Sequence, residues 1–156
     1  MLELETFKTV IQSTPLVSID FIVRNTSGQI LLGKRNNRPA KGYWFVPGGR
    51  VLKDEPLDLA FSRLLKQELG IDNASSSFKG VYQHFYEDNV SSNDFSTHYV
   101  VLAYDIVEDG GLTELPDEQH CDYYWFDEAD LLRNKRVHRH TQWYFQANKR
   151  ADNSFM

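Results

Sequence analysis

Gly48 to Ile71, GGRVLKDEPLDLAFSRLLKQELGI, is the stretch on which the reading of this chain turns. A glycine pair opens a polar turn, an apolar-periodic segment follows, and Leu69-Gly70 closes it, so the order is loop, helix and glycine stop. Leu57, Phe61 and Leu65 recur at near-helical spacing and are expected to pack inward, while Arg63, Lys66 and Gln67 interrupt that stripe. One side of the helix belongs to a core and another is free for chemistry. Positions 64, 67 and 68 are three and four residues apart on one face, and they hold Leu, Gln and Glu, so Glu68 is the one carboxylate among them.

Outward from this stretch, the chain is long enough for one domain with a sizeable core and too short for two, at 156 residues. Hydrophobic residues make up 41% and aromatic residues 13%, which fits a folded globule and excludes a disordered chain. No apolar run approaches the roughly 20 residues of a membrane span. The opening MLELETFKTV lacks the basic-then-apolar pattern of a secretory signal, so a cytoplasmic location is expected. Cys121, the only cysteine, has no intrachain disulfide partner, in keeping with a reducing compartment. A net charge of -5 gives no electrostatic footprint for nucleic acid.

In chain order, residues 3 to 13 read as a short amphipathic helix carrying Leu4, Phe7, Val10 and Ile11, either covering a sheet edge or serving a ligand or subunit contact. Leu16 to Val23 and Gln29 to Leu32 are strand-like around the turn signal Asn25 to Gly28. Asp20 interrupts the first strand, where a buried, unpaired carboxylate is unfavourable, so it needs a structural hydrogen bond or a ligand. Gly33 to Arg50 gathers Lys34, Arg35, Arg38, Lys41 and Arg50 in an otherwise acidic chain. Arg35 and Arg50 are assigned to anion binding, for which the guanidinium fork is suited, and Arg38 and Lys41 to a solvated charge run. Pro47-Gly48-Gly49 permits a tight turn that leaves a carbonyl free to face a cation.

After the helix, Asp72 to Ser77 reads as a connector, and Lys79 to Tyr86 and His98 to Val107 as strands carrying His84 and Tyr99, residue types that often just fill a sheet face. Glu108 to His120, EDGGLTELPDEQH, is an acidic loop long enough to suggest a working lid. A last strand is expected over Asp122 to Phe126, a helix from Asp127 through Leu132, and an aromatic amphipathic segment over Val137 to Asn148 whose Trp143 and Tyr144 pack on the domain.

Gly49, five residues, Glu55, seven residues, Arg63, then Glu68, Gly70 and Ile71 resemble a Nudix box, with Leu64 and Gln67 departing at two positions usually held by Glu. With STPLVSIDFIV, GKRNNRP, GYWFVPGGRV, GVYQHFY, THYVVL and LPDEQHCDY, nearly the whole chain resembles the GDP-mannose mannosyl hydrolases, an atypical Nudix family. The resemblance implies an α/β fold, a Nudix-type α/β/α sandwich with a mixed central sheet, spanning residues 1–156 as one domain. It implies hydrolysis of GDP-mannose, and of GDP-glucose, to GDP and free hexose by water attack at the anomeric carbon with inversion. The alternatives are ordinary Nudix cleavage at phosphorus and a non-catalytic nucleotide-sugar sensor.

The resemblance also implies site residues. One Mg²⁺ per subunit, replaceable by Mn²⁺, would take the Gly49 carbonyl, Glu68 and Gln119; His120 would be the general base; Arg35 and Arg50 would stabilise the departing GDP. Phe7, Asp20, His84 and Tyr99 would join Arg35 and Arg50 around a small-molecule GDP-sugar. It implies a homodimer with the N-terminal segment near the partner's nucleotide site, and neither nucleic acid nor membrane as partner. A lone loop histidine is more often solvated, yet an imidazole beside a cation ligand suits proton removal near neutral pH. Structural pairing of Glu68 with Arg63 is the plain alternative to its cation role. Loss of two carboxylates fits this chemistry, because attack at carbon needs a stabilised leaving group and fewer cations than attack at phosphorus.

Overall fold

β1 (Leu16–Arg24) runs through the middle of a seven-stranded mixed sheet, in a computed structural model that describes residues 2–108, 112 and 120–155. Its side chains alternate with the two-residue strand period. Ile19, Phe21 and Val23 enter one apolar cluster, while Ile22 enters the other, so Ser18 and Asp20 share the face of Ile22. That parity decides where Asp20 points.

The sheet path is β3 (Trp44–Phe45), β2 (Ile30–Arg35), β1, β6 (Thr97–Val107) and β5 (Ser75–Tyr86), with β4 (Gly48–Arg50) added to β1 and β7 (His120–Phe126) to β2. β1 and β6 are parallel and the remaining pairs antiparallel, which confirms the mixed sheet expected from the sequence. α1 (Leu4–Ser13) precedes β1, and α3 (Glu128–Arg133) and α4 (Arg139–Gln142) follow β7. The two clusters lie on opposite faces of the sheet: one holds Ala60, Leu64, Leu65 and Leu69, the other Leu131, Val137 and Tyr144.

α2 (Leu57–Leu64) continues into a π-helical turn, Leu65–Leu69, and stops at Gly70, whose φ of 72° is the left-handed conformation that glycine adopts freely. The expected helix and its stop are both present. The expected stripe is met in part: Leu65 is buried and Phe61 packs against the same cluster, whereas Leu57 is 51% exposed and Ala60, Leu64 and Leu69 add to the packing.

Two other boundaries move. β5 begins at Ser75, within the expected connector. Val137 to Asn148 is not one helix: His138 N–H donates to the Trp44 carbonyl and Trp44 N–H to the Arg136 carbonyl, holding residues 136–138 extended. Helix starts only at Arg139 and gives way to a 3₁₀ turn over Trp143–Phe145. At the outer strand β5, Val81 N–H and Gln83 N–H donate to the side chains of Asn153 and Asp152 in the last 3₁₀ turn.

Gly48 lies against β1 so closely that a methyl group would meet the Ile19 carbonyl and the Asp20 carboxylate, whereas at Gly49 it would first meet the movable tip of Leu64. Gly48→Ala is therefore expected to lower stability by about 1–3 kcal/mol, more than Gly49→Ala does. Urea midpoints of the two variants test this, and equal losses would contradict it.

Candidate active site

Arg63, one helical turn before Glu68, donates to both carboxylate oxygens of Glu55, at 2.7 and 2.8 Å, and to the Arg50 carbonyl at 2.8 Å. The helix is thereby fastened to the loop after β4 and to β4 itself. Glu55 answers electrostatically, its carboxyl held down at about 2 by the Arg63 hydrogen bonds and the Leu52 amide. Gln67 is exposed and accepts from Arg63 at 3.0 Å, so position 67 faces outward.

Positions 64 and 68 turn inward instead. Leu64 is 2% exposed and fills the space beside Gly49, and Glu68, only 5% exposed, lies with its Oε1 3.9 Å from where a Gly49 side chain would begin. The structure thus brings Gly49 and Glu68 together, with a leucine where a second carboxylate would stand. Gln119 lies outside the described residues. Among the described residues there is no group of three or more His, Cys, Asp or Glu arranged as a metal cage. One buried carboxylate beside a glycine backbone fits a hard divalent cation that keeps most of its water ligands, and does not fit a cage built wholly from protein.

Next to this pair opens a cavity of about 710 Å³, within the range of small-ligand sites. Phe7, Asp20, Arg35, Gly49, Arg50, His84 and Tyr99 all line it, gathered from α1, β1, β2, β4, β5 and β6. Arg50 lies over the Phe7 ring at 4.3 Å and Arg35 over Phe45 at 5.5 Å, contacts that orient the guanidinium planes and leave N–H groups for an anion. Among the described residues neither arginine has a carboxylate ion-pair partner.

Asp20 accepts from the Tyr144 hydroxyl at 2.6 Å, and that hydroxyl stands 3.5 Å from His84 Nε2. Burial pushes the Asp20 carboxyl up to about 7, against the Tyr144 hydrogen bond and the Arg35 charge, which lower it. Tyr99 is raised by burial too, with Arg35 and Arg50 opposing, so its hydroxyl stays a donor at neutral pH. The structural hydrogen bond foreseen for Asp20 is present, and the residue also lines the cavity.

Arg38 corrects an expectation. It was assigned to a solvated charge run, yet it donates to the Asn89 carbonyl at 3.3 Å, bonds Asn93 Oδ1 and pairs with Asp88 at 3.5 Å. It ties the segment around Pro39 to the turn after β5, and both Arg38 and Lys41 line the cavity. The backbone of His120 is paired with Arg35 in the β2–β7 ladder.

Sequence reasoning missed Tyr144 as a site residue, since only its packing was foreseen, and it missed the ring stack behind it. His84 and His140 stack at 4.4 Å, and His138 stacks on Phe45 at 4.7 Å. Burial chiefly holds His84 at about 3, His138 at about 4 and His140 at about 2. No periodic pattern marks such a stack.

The chain belongs to the NUDIX domain family, whose model matches residues 14–147. It is 38% identical over 121 residues to the low-salt glycan biosynthesis protein Agl8 of Haloferax volcanii, covering 78% of this chain and 76% of that one. Its fold is similar to a MutT NUDIX hydrolase from Burkholderia pseudomallei, with a TM-score of 0.69 and 27% identity over 85% of this chain and 97% of that one. It is also similar to the NUDIX domain of Shewanella oneidensis NrtR complexed with ADP ribose, with a TM-score of 0.66 and 21% identity over 94% and 97% of the two chains. Among the described residues no helix is long and apolar enough to cross a membrane.

The three histidines set a pH response. Their folded values lie below the unfolded 6.5, so the stability they allow is present above pH 6.5 and drains away as pH falls toward 4, by at most about 1.4 kcal/mol per pH unit for each. Asp20, raised above its unfolded 3.8, acts oppositely between about pH 4 and 7 and is outnumbered. Urea midpoints should fall as pH is lowered from 7 to 4, and His140→Leu should flatten that slope; an unchanged slope would show that His140 is not the titrating group.

Proposed function

We propose that this Nudix hydrolase cleaves a GDP-hexose, GDP-mannose or GDP-glucose, into GDP and free hexose by water attack at the anomeric carbon. The observation that carries this reading is the pairing of one buried carboxylate, Glu68 beside Gly49, with a cavity holding two arginines that have no carboxylate ion-pair partner among the described residues. Leu64 and the outward Gln67 leave that face without further carboxylates, an arrangement suited to holding a diphosphate as a leaving group. The name of the Haloferax volcanii relative, a glycan biosynthesis protein, agrees with a sugar-bearing substrate.

His120 takes a proton from water as the water oxygen bonds to the anomeric carbon. The bond from that carbon to the diphosphate oxygen breaks, and the electron pair leaves with GDP. Arg35, Arg50 and the Tyr99 hydroxyl oppose the charge developing there, while Asp20, His84 and Phe7 bound the space for the sugar and the base. A single displacement inverts the anomeric configuration. Gly49, Glu68 and Gln119 would hold Mg²⁺, or Mn²⁺ in its place, which supplies charge neutralisation to the diphosphate. The family resemblance supports a homodimer with α1 near the partner's site, and Leu4, 54% exposed on that helix, borders the cavity of its own chain.

Incubation with GDP-mannose and Mg²⁺ in ¹⁸O-labelled water is expected to put the label in mannose and none in phosphate. Label in phosphate, with a mannose phosphate product, would mean attack at phosphorus, and absence of turnover would mean a sensor. His120→Gln should lower kcat by about 100-fold or more while KM moves little; an unchanged kcat would remove the proposed base. Leu64→Glu should not convert the enzyme to cleavage at phosphorus, since Gln67 still faces outward.

A further inference from the structure

Tyr86 forms part of the wall of two cavities. On the side away from Gly49 and Glu68 lies a second hollow of about 700 Å³, walled by the end of β5, the start of β3 and the segment from α3 to α4. Nothing in the chemistry assigned above uses it.

Its charge is unusual for this chain. Residues 133–139, RNKRVHR, hold four of the chain's 17 lysines and arginines although the net charge is -5, so cations are concentrated at this rim. Two of them are committed: Arg133 pairs with Asp130 at 2.7 Å, and Arg136 donates to the Gly42 carbonyl at 3.1 Å while lying over the Tyr43 ring. Lys135 and Arg139 are exposed, line the hollow, and have no ion-pair partner among the described residues. Of the two acids in the wall, Asp88 is engaged by Arg38 and by the Ala40 amide, which leaves Glu87 as the open acceptor among the described residues.

Aromatic surface faces the same space. Tyr43, with Arg136 over its ring at 4.8 Å, and His138 meet edge to face at 5.4 Å there, while the Phe85 ring stacks on its cross-strand partner His98 at 4.4 Å on the other face of the sheet. Open cations beside backed aromatic faces suit a ligand with a phosphate at one end and a flat ring at the other. A base edge presenting N–H groups can donate to Glu87.

We propose that this hollow is a second binding site, for a nucleoside phosphate, with Lys135 and Arg139 holding the phosphate and Tyr43 and His138 bounding the base. It is separate from the cavity beside Gly49, yet adjoins it through Tyr86 and through Asp88, which anchors both Arg38 and Ala40. A ligand here would press on the wall that the two share.

The test is an NMR titration of the ¹⁵N-labelled full chain with guanosine monophosphate and, separately, with inorganic phosphate. With the nucleotide, the amides of Tyr43, Lys135 and Arg139 should shift and saturate. The variant Lys135→Ala/Arg139→Ala should weaken that response at least tenfold, with the thermal midpoint and the responses of Gly49 and Arg50 unchanged. Inorganic phosphate should bind there at least tenfold more weakly than the nucleotide. Absence of saturable shifts at these amides, or an undiminished response in the variant, would overturn the site. Phosphate binding as tightly as the nucleotide would overturn the recognition of a base.

Discussion

The Arg63 guanidinium is the fastening on which the site depends. It reaches Glu55 through two hydrogen bonds and the Arg50 carbonyl through another, joining a helix, a loop and a strand that covalent connection alone leaves free to part. Charge-assisted, bidentate bonds of this kind hold direction as well as distance. Gly49 can face Glu68 only while β4 and α2 keep this separation, and Arg50 projects into the cavity from the same short strand. The π turn after Leu64 has a related effect, since it carries Glu68 inward and leaves Gln67 outside.

Around that fastening the electrostatics are divided. The cavity beside Gly49 presents two guanidinium groups backed by aromatic rings, while burial opposes charge on the acid and imidazole groups beside them. Asp20 lies near neutrality, His84 is held unprotonated, and Tyr144 joins them by its hydroxyl. Positive charge therefore meets an incoming anion with Asp20, only partly ionised at neutral pH, as the carboxyl in the wall.

The spacing from Gly49 to Ile71 was enough to read the helix and its glycine stop, because each depends on local offsets, while the approach of Gly49 to Glu68 was expected only from the family resemblance. The strand parity of β1 also fixes the face of Asp20 once the core face is known. What could not be read are contacts across long separations. Tyr144 lies 124 residues from Asp20, and nothing in the aromatic pattern of the C-terminal segment signals a carboxylate partner. Arg38 looked solvated because its acceptors come from the turn after β5, about 50 residues on. The aromatic segment over Val137 to Asn148 is helical only in part for a tertiary reason, since pairing of residues 136–138 with Trp44 outweighs helical propensity. The proposed ligand Gln119 lies outside the described residues, and for His120 the ladder with Arg35 concerns backbone alone.

The hydrogen bonds from Val81 and Gln83 to the Asn153 and Asp152 side chains occupy amides on the outer margin of β5. An open margin is a template on which a foreign strand can add, the usual route to sheet-to-sheet polymerisation. Two short polar side chains near the end of the chain therefore act as a stopper over part of that margin. They keep this stretch from recruiting strangers without adding another strand.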